Sequence, residues 1–200
     1  MNKTISKFGA LLVVISVALF AIFMPISKFL SYFVCMLLAI SYLIMAAGLH
    51  SESDEEHKVA ANAGLLFGAV YAVLILLVYY AQTTSVRLSQ LNEQATLLID
   101  YSYGGLFFCY DLLGYGMMAL LTFFLGLAFE PKTKADKWLK YLLIIHGVFF
   151  LSCFIMPMTG IFASMADGHK TYSGVIALEF WCAYFLPIGI LAFIHFNKKD

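Results

Sequence analysis

Charged residues are scarce in this chain. Lysine, arginine, aspartate and glutamate make up 12% of its 200 residues, whereas soluble domains carry about a quarter. Hydrophobic residues account for 62% of the chain, which is more apolar surface than a soluble protein of this size can bury. The scarcity of charge therefore excludes an ordinary soluble domain and favours lipid as the surrounding solvent.

The chain also lacks the usual signatures of several protein classes. Its formal net charge is zero, and no basic cluster interleaved with aromatic residues occurs, so nothing indicates a nucleic-acid partner. No phosphate-binding loop, HExxH motif, dinucleotide fingerprint or hydrolase elbow is present, which leaves any cofactor unidentified. The cysteines lie in apolar runs without a CxxC pair, as expected of small buried side chains rather than metal ligands: Cys35, Cys109, Cys153 and Cys182.

Six apolar runs have about the 20 residues that a helix needs to cross a bilayer. They predict an all-α, polytopic membrane protein that forms one domain over residues 1–200. The predicted spans are Phe8–Met24, Phe29–Leu49, Val59–Ala81, Tyr103–Phe129, Tyr141–Ala163 and Ser173–Phe196. The first run exceeds a typical signal-peptide core and ends at Pro25 without a cleavage site, so we expect it to be retained.

The distribution of basic residues predicts the orientation in the membrane. If the N-terminus is cytoplasmic, nine basic residues face the cytoplasm and three face outward, which follows the positive-inside rule. The inner set is Lys3, Lys7, Lys58, Lys132, Lys134, Lys137, Lys140, Lys198 and Lys199, and the outer set is Lys28, Arg87 and Lys170. Both termini are therefore predicted to be cytoplasmic in a cell membrane.

Two further patterns predict local structure. In the long segment after the third span, Leu88, Leu91, Ala95 and Leu98 recur at helical spacing, which predicts a short interfacial helix at about 84–99, with an irregular loop as the equal alternative. In the third span, small residues recur every four positions and predict close helix packing: Ala60, Gly64, Gly68 and Ala72. Packing inside the chain is the first interpretation of this stripe, and a homo-oligomeric seam or contact in a larger membrane complex is the second.

Two acids within the predicted spans are the most informative residues. Asp111 lies about 12 Å of helical rise from the start of the fourth predicted span, and Glu179 about 9 Å from the start of the sixth, so both fall in the outer half of the bilayer. A charge at such a depth is costly and usually faces a partner or a cavity. Three arrangements would reduce the cost of burying the two acids: they share a proton, they pair with Arg87, or they line a wet pocket. The simpler alternative is that each acid only forms a hydrogen bond to a neighbouring helix.

The histidines and prolines give weaker indications of function and of helix bending. His146 in the fifth span suits a proton relay, a metal or a haem, although an ordinary hydrogen-bonded histidine fits better. The loop from His50 to His57 holds two imidazoles and four carboxylates, which favours a solvated turn over a metal site. Pro157 and Pro187 predict bends in the fifth and sixth spans.

One stretch of the chain resembles a known group of proteins. The run from Tyr79 to Arg87, Tyr-Tyr-Ala-Gln-Thr-Thr-Ser-Val-Arg, is followed by Asp111-Leu-Leu-Gly-Tyr-Gly116. This pattern is similar to a group of small uncharacterised bacterial multipass proteins. The resemblance implies an inner-membrane location and six helices, and it implies no particular activity.

Three functions are consistent with these features. The first is binding of a small solute, with transport as its extension, in an outward-facing polar pocket built from Arg87, Asp111, Tyr115 and Glu179. The second is a membrane-embedded enzyme that uses Asp111 and Glu179 as acid and base on a lipid-like substrate. The third is a non-catalytic partner subunit that docks through the small-residue stripe.

Overall fold

The computed structural model describes residues 1–162, 165 and 173–198. Every regular element among them is helical, which confirms the predicted all-α class. The helices are α1 (Asn2–Phe23), α2 (Lys28–Ser51), α3 (Lys58–Ala81), α4 (Glu93–Ile99), α5 (Leu106–Ala128), α6 (Lys134–His146), α7 (Phe149–Ile155) and α8 (Ser173–Phe196). Ala163, the predicted end of the fifth span, and two of the counted lysines, Lys170 and Lys199, lie outside the described residues.

Three short turns connect these helices. A π-helical turn, Gln82–Val86, continues α3, and 3-10 turns occur at Tyr101–Tyr103 and Met156–Thr159. Six segments are long and apolar enough to cross a membrane: Asn2–Phe23, Lys28–Ser51, Lys58–Val86, Leu106–Ala128, Lys134–Thr159 and Gly174–Phe196. The chain is therefore an integral membrane protein whose surroundings are a lipid bilayer.

The spans pack as a ring in which each helix contacts two neighbours. α1 packs between α8 and α2, α2 leads to α3, α3 packs along α5, and α6 joins α5 to α8. An even number of spans places both chain termini at one end of the ring, called here the terminal end. The opposite end carries the π-helical turn, α4 and the turn at Tyr101–Tyr103.

Helix α3 shows how the sequence divides the two faces of a span. Leu66, Val70, Val73 and Leu77 are exposed and recur at spacings of three and four, so they form one continuous apolar stripe towards lipid. The small-residue stripe occupies the opposite face. A Cβ atom at Gly64 would contact Leu121 and Leu125 of α5, and one at Gly68 would contact Leu43 of α2 and Leu121.

The small-residue stripe thus lies inside the bundle. Gly64, Gly68 and Ala72 are buried, whereas Ala60 at the terminal end is half-buried. The absence of a side chain at the two glycines lets α3 approach the backbone of α5, where the Leu121 carbonyl oxygen lies 3.3 Å from the ideal Cβ position of Gly64. This placement corresponds to the first interpretation of the stripe, packing within the chain.

The fifth span differs from its predicted form. It begins at Lys134 rather than Tyr141, because Thr133 and Asp136 form a capping box that starts a helix among the lysines. It is interrupted at Gly147 and Val148, where a Cβ on Gly147 would lie 2.8 Å from Cβ of Phe123. Regular α-helix ends before Pro157, which lies in the 3-10 turn, whereas α8 continues through Pro187.

The predicted interfacial helix is shorter than expected. Its first part belongs to the π-helical turn that extends α3, and only Glu93–Ile99 forms a separate helix. Asn92 caps this helix by accepting a hydrogen bond from the Ala95 amide at 2.9 Å. None of its seven residues is buried, so α4 lies on the surface of the bundle.

Candidate functional site

Asp111 lies in the interior of the bundle near the end opposite the termini. Its residue is 2% exposed, and its position is about 8 Å of helical rise from Leu106, the first residue of α5. Its Oδ1 atom has no hydrogen-bond partner among the described residues. A buried carboxyl oxygen without a partner is rare in folded proteins and costs free energy, so it marks a place where a proton, water or ligand is expected.

Tyrosine hydroxyl groups surround this carboxyl group. The hydroxyls of Tyr79 on α3 and Tyr101 in the 3-10 turn are the polar groups close enough to influence it. Burial, followed by the negative charge of Asp111, holds the pKa of Tyr101 well above its ordinary value. Tyr101 therefore keeps its proton, and its O–H group is available as a donor to the carboxylate.

The polar contacts continue from Tyr79 towards α2. The hydroxyl oxygens of Tyr79 and Tyr115 are 3.4 Å apart, and the Tyr115 hydroxyl lies 3.7 Å from Sγ of Cys35. We call the five residues Cys35, Tyr79, Tyr101, Asp111 and Tyr115 the hydroxyl cluster. Its members come from α2, α3, the 3-10 turn and α5, so the cluster forms only when these four elements are assembled.

The π-helical turn positions one further side chain beside the hydroxyl cluster. In this turn the Arg87 amide donates to the Gln82 carbonyl, five residues back. Gln82 is 4% exposed, and its Nε2 donates to the Ile99 carbonyl at 2.7 Å while its Oε1 accepts from the Tyr101 amide at 3.1 Å. Gln82 thus ties the chain segment that carries Tyr101 to the end of the third span. The hydropathy pattern of the sequence does not identify Gln82 as a functional candidate. The π-helical turn that carries it is a signal visible only in the structure, because such turns frequently occur at functional sites.

The four residues predicted to form the pocket are placed differently from one another. Asp111 and Tyr115 both belong to the hydroxyl cluster. Arg87 is exposed; its Nε donates to the Thr83 carbonyl at 2.9 Å, and its guanidinium lies 5.0 Å from the ring centre of Phe29. Glu179 is half-buried on α8. Within the described part of the chain, no hydrogen bond or ion pair joins Arg87 or Glu179 to Asp111.

His146 has both ring nitrogens occupied. The Trp181 indole nitrogen only donates, so at 3.0 Å it requires Nε2 of His146 to accept. Nδ1 lies 2.8 Å from Oγ1 of Thr122, whose hydroxyl hydrogen is taken by the Ala119 carbonyl at 2.7 Å. The geometry therefore fixes a neutral imidazole with its proton on Nδ1. It matches the hydrogen-bonded interpretation of His146 and leaves no nitrogen for a metal or haem.

A charged network at the terminal end joins residues that are far apart in the sequence. His195 on α8 lies between two carboxylates, with Nε2 2.7 Å from Glu52 and Nδ1 2.9 Å from Asp136. Lys198 donates to the same Oδ1 atom of Asp136 at 2.6 Å. Because ionised carboxylates only accept, both imidazole nitrogens donate and His195 carries a positive charge here. The network ties the loop after α2 to the beginning of α6 and the end of α8.

The Glu52 carboxylate gives this network a pH dependence. Its hydrogen bond to His195 is the largest influence on its pKa, which is lowered from its ordinary value. A lowered pKa stabilises the fold at pH values above the unfolded value of about 4.3, and this contribution disappears as the pH falls through the folded value. We expect Glu52→Gln to reduce the free energy of unfolding by about 1 kcal/mol at pH 7, because the Glu52 side chain is 30% exposed and partly screened.

Unfolding of detergent-solubilised protein between pH 7 and pH 3.5 measures this effect. The difference between wild type and Glu52→Gln should shrink as the pH falls below about 4. Glu56→Gln in the same exposed loop is the matched control and should behave like wild type. A difference that stays constant over the whole pH range would show that the Glu52 charge does not act through His195.

The loop from His50 to His57, together with Glu130, contains one group of side chains arranged closely enough to bind a cation. Ligand atoms of Asp54, His57 and Glu130 all lie within 4.8 Å of one another. Nδ1 of His57 is already 2.7 Å from Asp54, and His50 instead contacts Asn62 at 2.7 Å. The His57 backbone amide, and then its ring, lower the pKa of Asp54. These contacts account for a structured, solvated turn.

The hydroxyl cluster contains one of the two buried side-chain polar atoms of the described residues that lack a hydrogen-bond partner; the other is the Tyr42 hydroxyl. The hydroxyl cluster offers one carboxyl group, whose Oδ1 atom is unpaired, together with three phenolic hydroxyls and one thiol, so most of its ligand atoms are oxygen. Such a set suits a proton or a cation. No protein-family model, curated protein or solved structure matches this chain.

Proposed function

We propose that this membrane protein binds a small cationic solute at Asp111 and that transport of this solute is its physiological role. The observation that carries the proposal is the buried Oδ1 atom of Asp111, which has no hydrogen-bond partner among the described residues. The chain places this atom in the interior of a membrane bundle, where an uncompensated carboxylate is expensive. A bound cation would compensate the negative charge, whereas a neutral solute would do no more than donate a hydrogen bond.

The surroundings of Asp111 support a cation over an anion. Tyr79 and Tyr101 present oxygen atoms beside the carboxyl group, and oxygen ligands suit small cations and protonated amines. No arginine or lysine side chain of the described residues forms an ion pair with Asp111. An incoming cation would therefore supply the positive charge that no described arginine or lysine side chain provides.

Orientation and location complete the proposal. The excess of basic residues at the terminal end supports cytoplasmic termini, and the resemblance to small bacterial multipass proteins supports a cell membrane. The Asp111 site would then open outward. Arg87, which is exposed, and Glu179, which is half-buried, remain proposed members of a wider pocket, whereas Asp111 and Tyr115 belong to the hydroxyl cluster.

Ligand-induced thermal stabilisation tests the binding site. Purified protein is titrated with sodium, potassium or methylammonium chloride at constant ionic strength. Saturation at about a hundred times the dissociation constant stabilises the folded state by about 2.7 kcal/mol. We expect Asp111→Asn to abolish this stabilisation while the variant itself unfolds at or above the wild-type temperature, because it removes a buried unpaired charge.

Two controls accompany this measurement. Glu93→Gln changes an exposed acid of α4, at the same end of the bundle, and should retain the stabilisation. Glu179→Gln distinguishes a site confined to the hydroxyl cluster from one that extends to α8. If Asp111→Asn is stabilised by the same cations as wild type, the proposed function is wrong.

A further inference from the structure

We infer that the segment from Ile99 to Tyr103, pinned by Gln82, is a removable cover over the Asp111 site. Its displacement would admit a small water-soluble cation from the bundle end opposite the termini. The ligand half of this inference rests on the proposed function; the cover itself is a property of the fold and is tested separately. Gln82 acts here as a positioning residue through Tyr101.

Gln82 holds the cover by two hydrogen bonds that span a long loop. Its amide bonds to the backbone of Ile99 and Tyr101, 17 and 19 residues further along the chain. A glutamine side chain offers a donor and an acceptor on one group, so it pairs with the carbonyl of one residue and the amide of another. The side chain is buried, which makes these bonds hard for water to replace.

Tyr101 is the part of the segment that closes the site. Its hydroxyl group acts on Asp111, and its ring centre lies 6.2 Å from Tyr32 and 5.0 Å from Phe108. The residue as a whole is half-buried, so the ring spans the distance between the surface and the carboxyl group. Withdrawal of this one side chain would uncover Asp111.

The parts of the chain on either side of the cover leave it room to move. Helix α4 buries none of its residues, and the exposed contact between Lys28 and Ser102 is 3.4 Å long. Gly104 adopts a left-handed conformation with φ of 65°, and the ideal Cβ position of Gly105 lies 3.0 Å from the Leu98 carbonyl oxygen. These glycines let the chain turn sharply between the cover and α5. Local opening at such a place requires few contacts to break.

The position of the cover determines the kind of ligand. Apart from Tyr101, the members of the hydroxyl cluster are less than 10% exposed, as is the neighbouring Phe108. The cover lies between two candidate membrane-spanning segments and outside both, so we expect it to lie at the aqueous boundary. A ligand that passes under it must be soluble in water and small, which favours an alkali ion or a short alkylammonium over a lipid-borne amphiphile.

Cys35 is a natural reporter of this opening. It is 1% exposed and contacts the Tyr115 hydroxyl, so we expect a charged, water-borne thiol reagent to reach it by passing the hydroxyl cluster. The experiment uses full-length protein in which the other three cysteines are replaced by serine. The rate of modification by a permanently charged trimethylammonium methanethiosulfonate is compared with that by the neutral methyl reagent, which enters through lipid.

We expect Gln82→Ala to raise the rate of Cys35 modification by the charged reagent about tenfold or more, because two bonds that hold the closed position are lost. Gln90→Ala in the same loop is the matched control; Gln90 is exposed and its replacement should leave the rate unchanged. Gln82→Glu keeps the acceptor for the Tyr101 amide and should give an intermediate rate.

A second reporter separates opening of the cover from general loosening. Ala46 on α2 is 0% exposed and lies 11 residues from Cys35 towards the terminal end, so a protein whose only cysteine replaces Ala46 should react at the same rate with or without Gln82→Ala. Equal increases at both cysteines would overturn the inference, as would an unchanged rate at Cys35. An increase with the neutral reagent alone would overturn the aqueous route. These rates need no bound cation, so they stand whether or not Asp111→Asn abolishes cation-dependent stabilisation.

Discussion

Replacing Asp136 with alanine should destabilise the protein by about 3 kcal/mol or more, the largest loss expected from a single polar side chain in the terminal-end network. The Asp136 side chain is 1% exposed and accepts hydrogen bonds through both oxygens. Oδ1 pairs with His195 and Lys198, and Oδ2 accepts the backbone amides of Lys132 and Thr133. Without Asp136, the charged His195 keeps only Glu52 as a partner, and the beginning of α6 loses its capping box.

The loss of Asp136 has different energetic effects on its two basic partners. The Lys198 side chain is 36% exposed and can turn to water, whereas the His195 side chain is 7% exposed and cannot. A buried charge left without its partner costs more than an exposed one, so most of the loss comes from His195. Asp136→Asn keeps one acceptor oxygen for the cap but loses the charge, and its loss should be intermediate.

Unfolding in mixed detergent micelles at pH 7 measures the series. Lys137→Ala, the next residue and exposed on the same helix, is the control and should change the free energy of unfolding by less than about 0.5 kcal/mol. If Asp136→Ala and Lys137→Ala are equally stable, the charged network contributes nothing to the fold.

The network also shows what the sequence could and could not predict. Six spans were predictable, because each apolar run by itself satisfies the length that a bilayer demands. The contacts of His195 were not, since its partners Glu52 and Asp136 lie 143 and 59 residues away. One local signal was available: Thr133 and Asp136 have the spacing of a capping box, which would have started the fifth span at Lys134 rather than Tyr141.

The same distinction holds at the opposite end of the bundle. Asp111 was predictable as a functional candidate, since an acid in an apolar run is conspicuous from composition alone. The residues that surround it were only partly predictable. Tyr115 lies one turn along the same helix, whereas Tyr101 and Gln82 reach the site through a long loop and a π-helical turn, which no periodicity reveals. Arg87 was expected beside Asp111, but its guanidinium packs on Phe29.

Replacing Gly64 with leucine should destabilise the chain itself, and by about 3 kcal/mol or more. Added side chains in a packed interior typically cost about 1–3 kcal/mol, and the cost is higher where the obstacle is backbone. The first added carbon at Gly64 would lie 3.2 Å from Cγ of Leu125 and 3.3 Å from the Leu121 carbonyl oxygen. A methyl group can be accommodated by small shifts, so Gly64→Ala should change stability far less, but the outer carbons of leucine would have to separate α3 from α5.

Unfolding free energy, together with the monomer fraction on a sizing column, distinguishes this expectation from docking through the stripe. Val70→Leu on the lipid-facing side of α3 is the control, because Val70 is 46% exposed and a larger apolar side chain there meets only lipid. A partner subunit that docks through the stripe predicts the opposite result, namely a Gly64→Leu monomer as stable as wild type that no longer assembles. The inward position of Gly64 against α5 favours loss of stability, since a surface already occupied by a helix of the same chain cannot also receive a partner.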